Sequence, residues 1–223
     1  MTLPEPGSAR KGFAITGLAV AFGWPLLFAI PGLSAHKLSD SRDDVVNISV
    51  KWAVLLGLGI LAFLVQRWKP SDLGIRRLGL ADVLAALGGL ILAFVLSGIA
   101  SHIVVMPTSL SDVRKLAAVP LGLRIGLVLT AAICEEFIYR GYAIEELGYL
   151  TGSRRLAGFL SWLVFAISHV SLYGVSRALV VPAIVGAVLT GLYLWRRSLP
   201  ACMLMHALMN GIFLILVPAI AQG

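Results

Sequence analysis

The sequence predicts an all-α fold: a polytopic transmembrane helical bundle of about seven spans with a polar site inside the membrane. Three observations carry that prediction. The 223 residues are 59% hydrophobic and only 13% charged, against roughly 45–50% and about 25% in soluble domains. Mean hydropathy is +0.93. The apolar residues fall into runs of roughly 20, the length that crosses a hydrocarbon core about 30 Å thick. A few isolated charged and imidazole groups interrupt those runs.

The expected spans are 13–33, 46–66, 82–106, 118–148, 156–172, 178–195 and 199–220. The first follows Arg10 and Lys11 as a signal peptide would, but its apolar run is too long and lacks a small-residue cleavage site. It reads as a retained helix. Pro25 and Pro31 should kink it, which a membrane tolerates when neighbours satisfy the freed carbonyls. Lys69–Arg77 (KPSDLGIRR) is a polar connector, and Asp82 is placed to cap the helix after it. Pro107–Lys115 (PTSLSDVRK) is the next polar break. There is no repeat or low-complexity tract.

Charge placement gives an orientation. Seven spans put Arg10, Lys11, Arg67, Lys69, Arg76, Arg77, Arg154, Arg155, Arg196 and Arg197 on the N-terminal side. Lys37, Arg42, Lys51, Arg114, Lys115, Arg124 and Arg177 fall on the other. The first set is larger and more clustered, so the N-terminus is expected in the cytoplasm. The net charge of +7 therefore answers to an anionic lipid surface and not to nucleic acid.

The functional signal lies in Glu135-Glu136-Phe137-Ile138-Tyr139-Arg140. Burying charges at membrane depth costs about 2.5–3.5 kcal/mol each even on a lenient insertion scale, so three within two turns need a use. Glu136 and Arg140 are i and i+4, the favoured order for a helical ion pair. Glu135 points about 100° away on an α-helix of 3.6 residues per turn, which frees it to act as a general base. The structural alternative is an ion pair that locks helix packing.

Two further segments contribute His169, closing Phe165-Ala166-Ile167-Ser168-His169, and His206 with Asn210 at i and i+4. His206 and Asn210 can converge as donors on one oxygen, as an oxyanion site requires. Interhelical hydrogen bonding is the alternative. At about 1.5 Å per residue, Glu136, His169, His206 and Asn210 lie roughly 18, 21, 14 and 20 Å from the cytoplasmic ends of their helices. All fall in one layer near the centre of the bilayer.

The order E-E-x-x-x-R, F-x-x-x-H, H-x-x-x-N on successive apolar segments resembles the CAAX prenyl protease and bacteriocin-processing (CPBP) family of intramembrane proteases, over residues 121–215. The resemblance implies an N-terminal set of helices over 1–120 and a catalytic core over 121–220, integrated in one membrane domain. It implies an endopeptidase acting on a membrane-associated peptide or protein, in a multi-pass protein of a prokaryotic plasma membrane. Glu135, with His169, would activate water; His206 and Asn210 would stabilise the oxyanion; Glu136 and Arg140 would support the helix. A metal-free mechanism is the preferred reading, with zinc on Glu135, Glu136, His169 and His206 as the alternative. Glu145 and Glu146 fall outside the pattern and are expected near the interface, solvated or lining an access to the site.

Two other classes compete. Intramembrane Glu, His and Arg also line ion pathways, although a coupled transporter predicts repeated halves. A non-proteolytic membrane interaction or immunity protein could carry the same residues. Weaker signals are discounted. Gly57-Leu58-Gly59-Ile60-Leu61-Ala62 imitates a dinucleotide fingerprint but has no strand before it. Cys134 and Cys202 read as small buried hydrophobes. Trp24, Trp52, Trp68, Trp162 and Trp195 mostly lie near span ends, as aromatic belts do.

Overall fold

The computed structural model describes residues 6–27, 41–103, 116–169 and 180–220. Every regular element among them is helical, and read as continuous rods they make seven helices. Helix α1 is Pro6–Leu27; α2 is Ser41–Gly59 extended by a π-helical stretch, Ile60–Val65. After a 3-10 turn at Pro70–Leu73 comes α3, Leu80–Ile103. Helix α4 has three parts: Leu121–Thr130, a π-helical stretch Ala131–Ala143, and Ile144–Thr151. Helices α5 (Arg154–Ser168) and α6 (Val180–Arg196) follow, then α7 from Leu199–Gly211 through π-helical Ile212–Leu216 to Val217–Ile220.

Among the described residues, three helical segments are long and apolar enough to cross a membrane: Asp44–Val65, Leu80–Ala100 and Leu199–Ile220. Their outward faces carry exposed Leu64, Leu84, Ile91 and Ile220. Apolar surface on that scale belongs against lipid. Val180–Arg196 is a shorter apolar helix.

Local chemistry explains the boundaries. Ser153 and Ser198 cap α5 and α7 by accepting from the amides of Leu156 and Ala201, the usual role of a serine at that position. Gly152, at φ 68°, ends α4 in the left-handed conformation that glycine adopts without strain. Asp82 serves α3 from inside its first turn, taking the Gly79 amide at 3.2 Å. Pro25 lies within α1 as expected, whereas Pro31 falls outside the described residues.

Ion pairs gather at one end of the bundle and fix the helix directions. Arg10 at the start of α1 bonds Glu146 at the end of α4, at 2.6 Å. Gln66, just past α2, donates to the other oxygen of Glu146, also at 2.6 Å. Asp82 at the start of α3 binds Arg76 (2.7 Å) and Arg196 (3.0 Å) at the end of α6. Glu145 joins Arg154 at the start of α5, Tyr193, and Arg197 just before α7. The backbone amide of Leu199 reaches the Gly74 carbonyl at 2.9 Å. Successive helices therefore alternate in direction throughout.

This clasp revises two expectations. Glu146 is fully buried between Arg10 and Gln66, and Glu145 is bound by three side chains; neither is a solvated interfacial group. Lys51 and Arg124, placed by charge counting at the opposite surface, are turned inward. Arg124 is buried and donates to the Leu214 carbonyl at 3.3 Å. Both losses leave the basic excess at the clasp end more pronounced.

Helix α4 sits at the centre, packed against α1, α2, α5 and α7. Every residue from Cys134 to Ala143 is buried, so the helix has no outward face in this stretch. That location explains how it can carry a carboxylate pair and an arginine. Its charges face other helices and never meet lipid.

Candidate active site

The π-helical stretch sets the geometry. Its i→i+5 hydrogen bonding widens each turn, and such turns recur at functional sites. The expectation of an ordinary α-helix here is therefore corrected, because a helical pattern in sequence does not distinguish the two. The Glu136–Arg140 pair survives the change, with Nη1 to Oε1 at 3.0 Å. Arg140 also donates to the Gly186 carbonyl of α6 at 2.9 Å and lies 4.3 Å above the Phe165 ring.

Glu136 is the hub. The oxygen that accepts from Arg140 also meets His206 Nδ1 of α7 at 2.7 Å. A carboxylate can only accept, so Nδ1 carries the proton. Nε2 is then left for chemistry: an acceptor in the neutral ring, a donor in the imidazolium. The second Glu136 oxygen is buried and makes no hydrogen bond.

His169 ends α5 with its Nδ1 2.8 Å from the Phe165 carbonyl. The same argument puts the proton on Nδ1 and leaves Nε2 as an acceptor in the neutral ring. Phe165 is the floor of the site. Its ring meets Tyr139 edge-on at 5.2 Å and His169 at 4.6 Å, and it abuts Gly186, where any Cβ would lie 2.6 Å from the ring. Phe165 belongs to the F-x-x-x-H motif, so its signal was present in the sequence.

Glu135 is buried, and both His169 and His206 lie within its electrostatic range. The sequence placed it away from the Glu136–Arg140 pair, and the structure gives it a cation of its own. Lys51 of α2 places its ammonium 2.6 Å from Glu135 Oε1. Asn210 lies one turn beyond His206 on α7, partly buried. Three helices thus bring the three motifs together, and a fourth, α2, adds a cation.

A zinc ion needs three or more converging N, O or S donors. Glu136 already holds Arg140 and His206, and Lys51 faces Glu135. Among the described residues no three His, Cys, Asp or Glu side chains come together as ligands. As placed, Glu135, Glu136, His169 and His206 do not fit a zinc ion. Cys134 and Cys202 are buried and unlinked.

The apolar outer faces and the enclosed polar cluster define an integral membrane protein of helical type with an interior polar site. Residues 115–212 match the family model described as Type II CAAX prenyl endopeptidase Rce1-like. The matched segment carries all three motifs, and the model it resembles is one of endopeptidases. No curated protein and no solved structure matches the chain.

Proposed function

We propose that the chain is an intramembrane endopeptidase that hydrolyses a peptide bond of a membrane-associated or lipidated substrate. The observation that carries this reading is the 2.7 Å contact between Glu136 and His206, which links the first motif to the third across the bundle.

In the proposed mechanism Glu135 takes a proton from water, which Nε2 of His169 orients as an acceptor, as the water oxygen attacks the scissile carbonyl. The carbonyl oxygen becomes an oxyanion, stabilised by the Asn210 amide and by Nε2–H of His206. His206 donates from Nε2 only as imidazolium, and Glu136 supplies its countercharge. The oxyanion then collapses, the C–N bond breaks, and the proton held by Glu135 passes to the departing amine. The second water proton stays on the new acid and passes through Nε2 of His169 to solvent, so one carboxylate and one amine result, with no metal step.

The proposal includes seven membrane crossings, with the clasp end and the N-terminus in the cytoplasm of a prokaryotic cell. The cluster of basic residues at that end supports this orientation. Residues 1–120 would form the supporting helices and 121–220 the catalytic core.

The test uses purified protein in lipid vesicles with two quenched probes: a peptide ending in a farnesylated cysteine and three further residues, and an unlipidated transmembrane peptide. Cleavage of either probe by the wild type, lowered about a hundredfold or more in Glu135→Gln and His169→Ala, is the expected result. Cleavage that survives both substitutions undiminished overturns the assignment.

A further inference from the structure

Lys51 lies on α2, outside the family-matched residues 115–212. By sequence it resembles a border charge of the kind that orients a membrane helix. The structure puts it in the interior: its side chain is 13% exposed and that of Glu135 is 8% exposed. An exposed ion pair contributes little, but an enclosed one strands a charge when either partner is removed.

Neighbouring contacts make the placement specific. Trp52, the next residue, donates its indole N–H to Thr130 Oγ1 at 3.1 Å. Thr130 immediately precedes the π-helical stretch, and Glu135 follows it by five residues. Where hydrogen bonds close from i to i+5, residues five apart lie close to one face. Two consecutive α2 residues thus grip one strip of α4. From α1, the Trp24 ring stands 5.8 Å from the Lys51 ammonium.

We propose that Lys51 is a positioning residue of the active site, holding Glu135 through one carboxylate oxygen and leaving the other to bind the attacking water. This rests on the reading of Glu135 as the base. It also makes the site a product of both halves of the chain, since the matched segment alone lacks the cation that holds its base. The role needs a positive charge at the end of a long side chain, so arginine should largely replace lysine and methionine should not.

The experiment compares Lys51→Met and Lys51→Arg with wild type on the farnesylated probe. Lys51→Met should lower kcat about tenfold or more, the scale of loss that a displaced reacting group produces. KM should stay within about twofold, because ground-state binding is untouched. Lys51→Arg should recover most of the lost kcat. An unchanged or raised kcat in Lys51→Met overturns the proposal, as does an equal loss in both variants. If Lys51→Met does not accumulate, Lys51→Gln takes its place with the same expectations.

If the wild type cleaves neither probe, the peptidase reading fails separately. The pairing is then read from unfolding midpoints of wild type, Lys51→Met, Glu135→Gln and the double variant. Non-additive losses support the hold of Lys51 on Glu135, and additive losses overturn it.

Discussion

His206 Nδ1 and Arg140 Nη1 meet on the same oxygen of Glu136, at 2.7 and 3.0 Å. One carboxylate oxygen thereby couples two helices, the guanidinium of one and the imidazole of the other. The group is enclosed on all sides, so its removal leaves two donors without their acceptor. Glu136→Leu should cost about 3–5 kcal/mol of stability, the usual result of breaking a buried charge pair by deleting one partner. Thermal unfolding of the solubilised protein measures the loss. The double variant Glu136→Leu/Arg140→Met should recover part of it.

Glu135 separates chemistry from folding. Glu135→Gln preserves size and leaves Lys51 a neutral oxygen to bond. The protein should insert and fold while cleavage falls by about 10²–10⁴, the contribution expected of a general base. Activity after dialysis against a strong chelator should be unchanged. Recovery that depends on added zinc would instead show that a metal-bound rearrangement of the four donors is the active form.

Gly17 lets α1 reach α4. A Cβ at Gly17 would stand 1.8 Å from the Tyr142 hydroxyl, on a ring that Trp68 also stacks against at 5.8 Å. Gly17→Ala should destabilise by about 1–3 kcal/mol, as overpacking a filled interior does. Gly57→Ala is the control, since a Cβ there meets nothing within 4 Å. It should be neutral or slightly stabilising, because alanine is the better helix former.

Asp82 ties three parts of the chain. Asp82→Ala removes the acceptor for Arg76, Arg196 and the Gly79 amide. Hydrogen bonds to a charged group contribute about 1.5–3 kcal/mol each when buried, but both arginines are partly exposed. A total loss near the lower end of that range is expected. Faster proteolysis in the Pro70–Leu73 connector would report it.

Hydropathy made the helices readable, because each long apolar run had to satisfy its own backbone hydrogen bonds. Expected bounds of 46–66 and 199–220 compare with 41–65 and 199–220 in the structure. The Glu136–Arg140 pair was legible for a similar reason, being a local contact on one helix. Lys51, Arg124 and Glu146 were not. A lone lysine at the edge of an apolar run has the same composition whether it faces water or a carboxylate 84 residues away. The π-helical stretch was equally hidden, since Cys134 to Ala143 are buried on every side and leave no polar–apolar stripe from which a period can be read. The catalytic roles of Glu135, His169, His206 and Asn210 rest on the resemblance and on chemistry, and the assays above decide them.

The enclosure of α4 bears on the order in which the chain is made. Ribosomes deliver α1 and α2 before α4, so the Lys51 ammonium and the Arg10 guanidinium already exist when the glutamates emerge. A helix carrying five charged residues between Glu135 and Glu146 would be rejected by lipid alone. Its partners on α1 and α2 precede it in the chain, so the early helices would serve as its receiving dock.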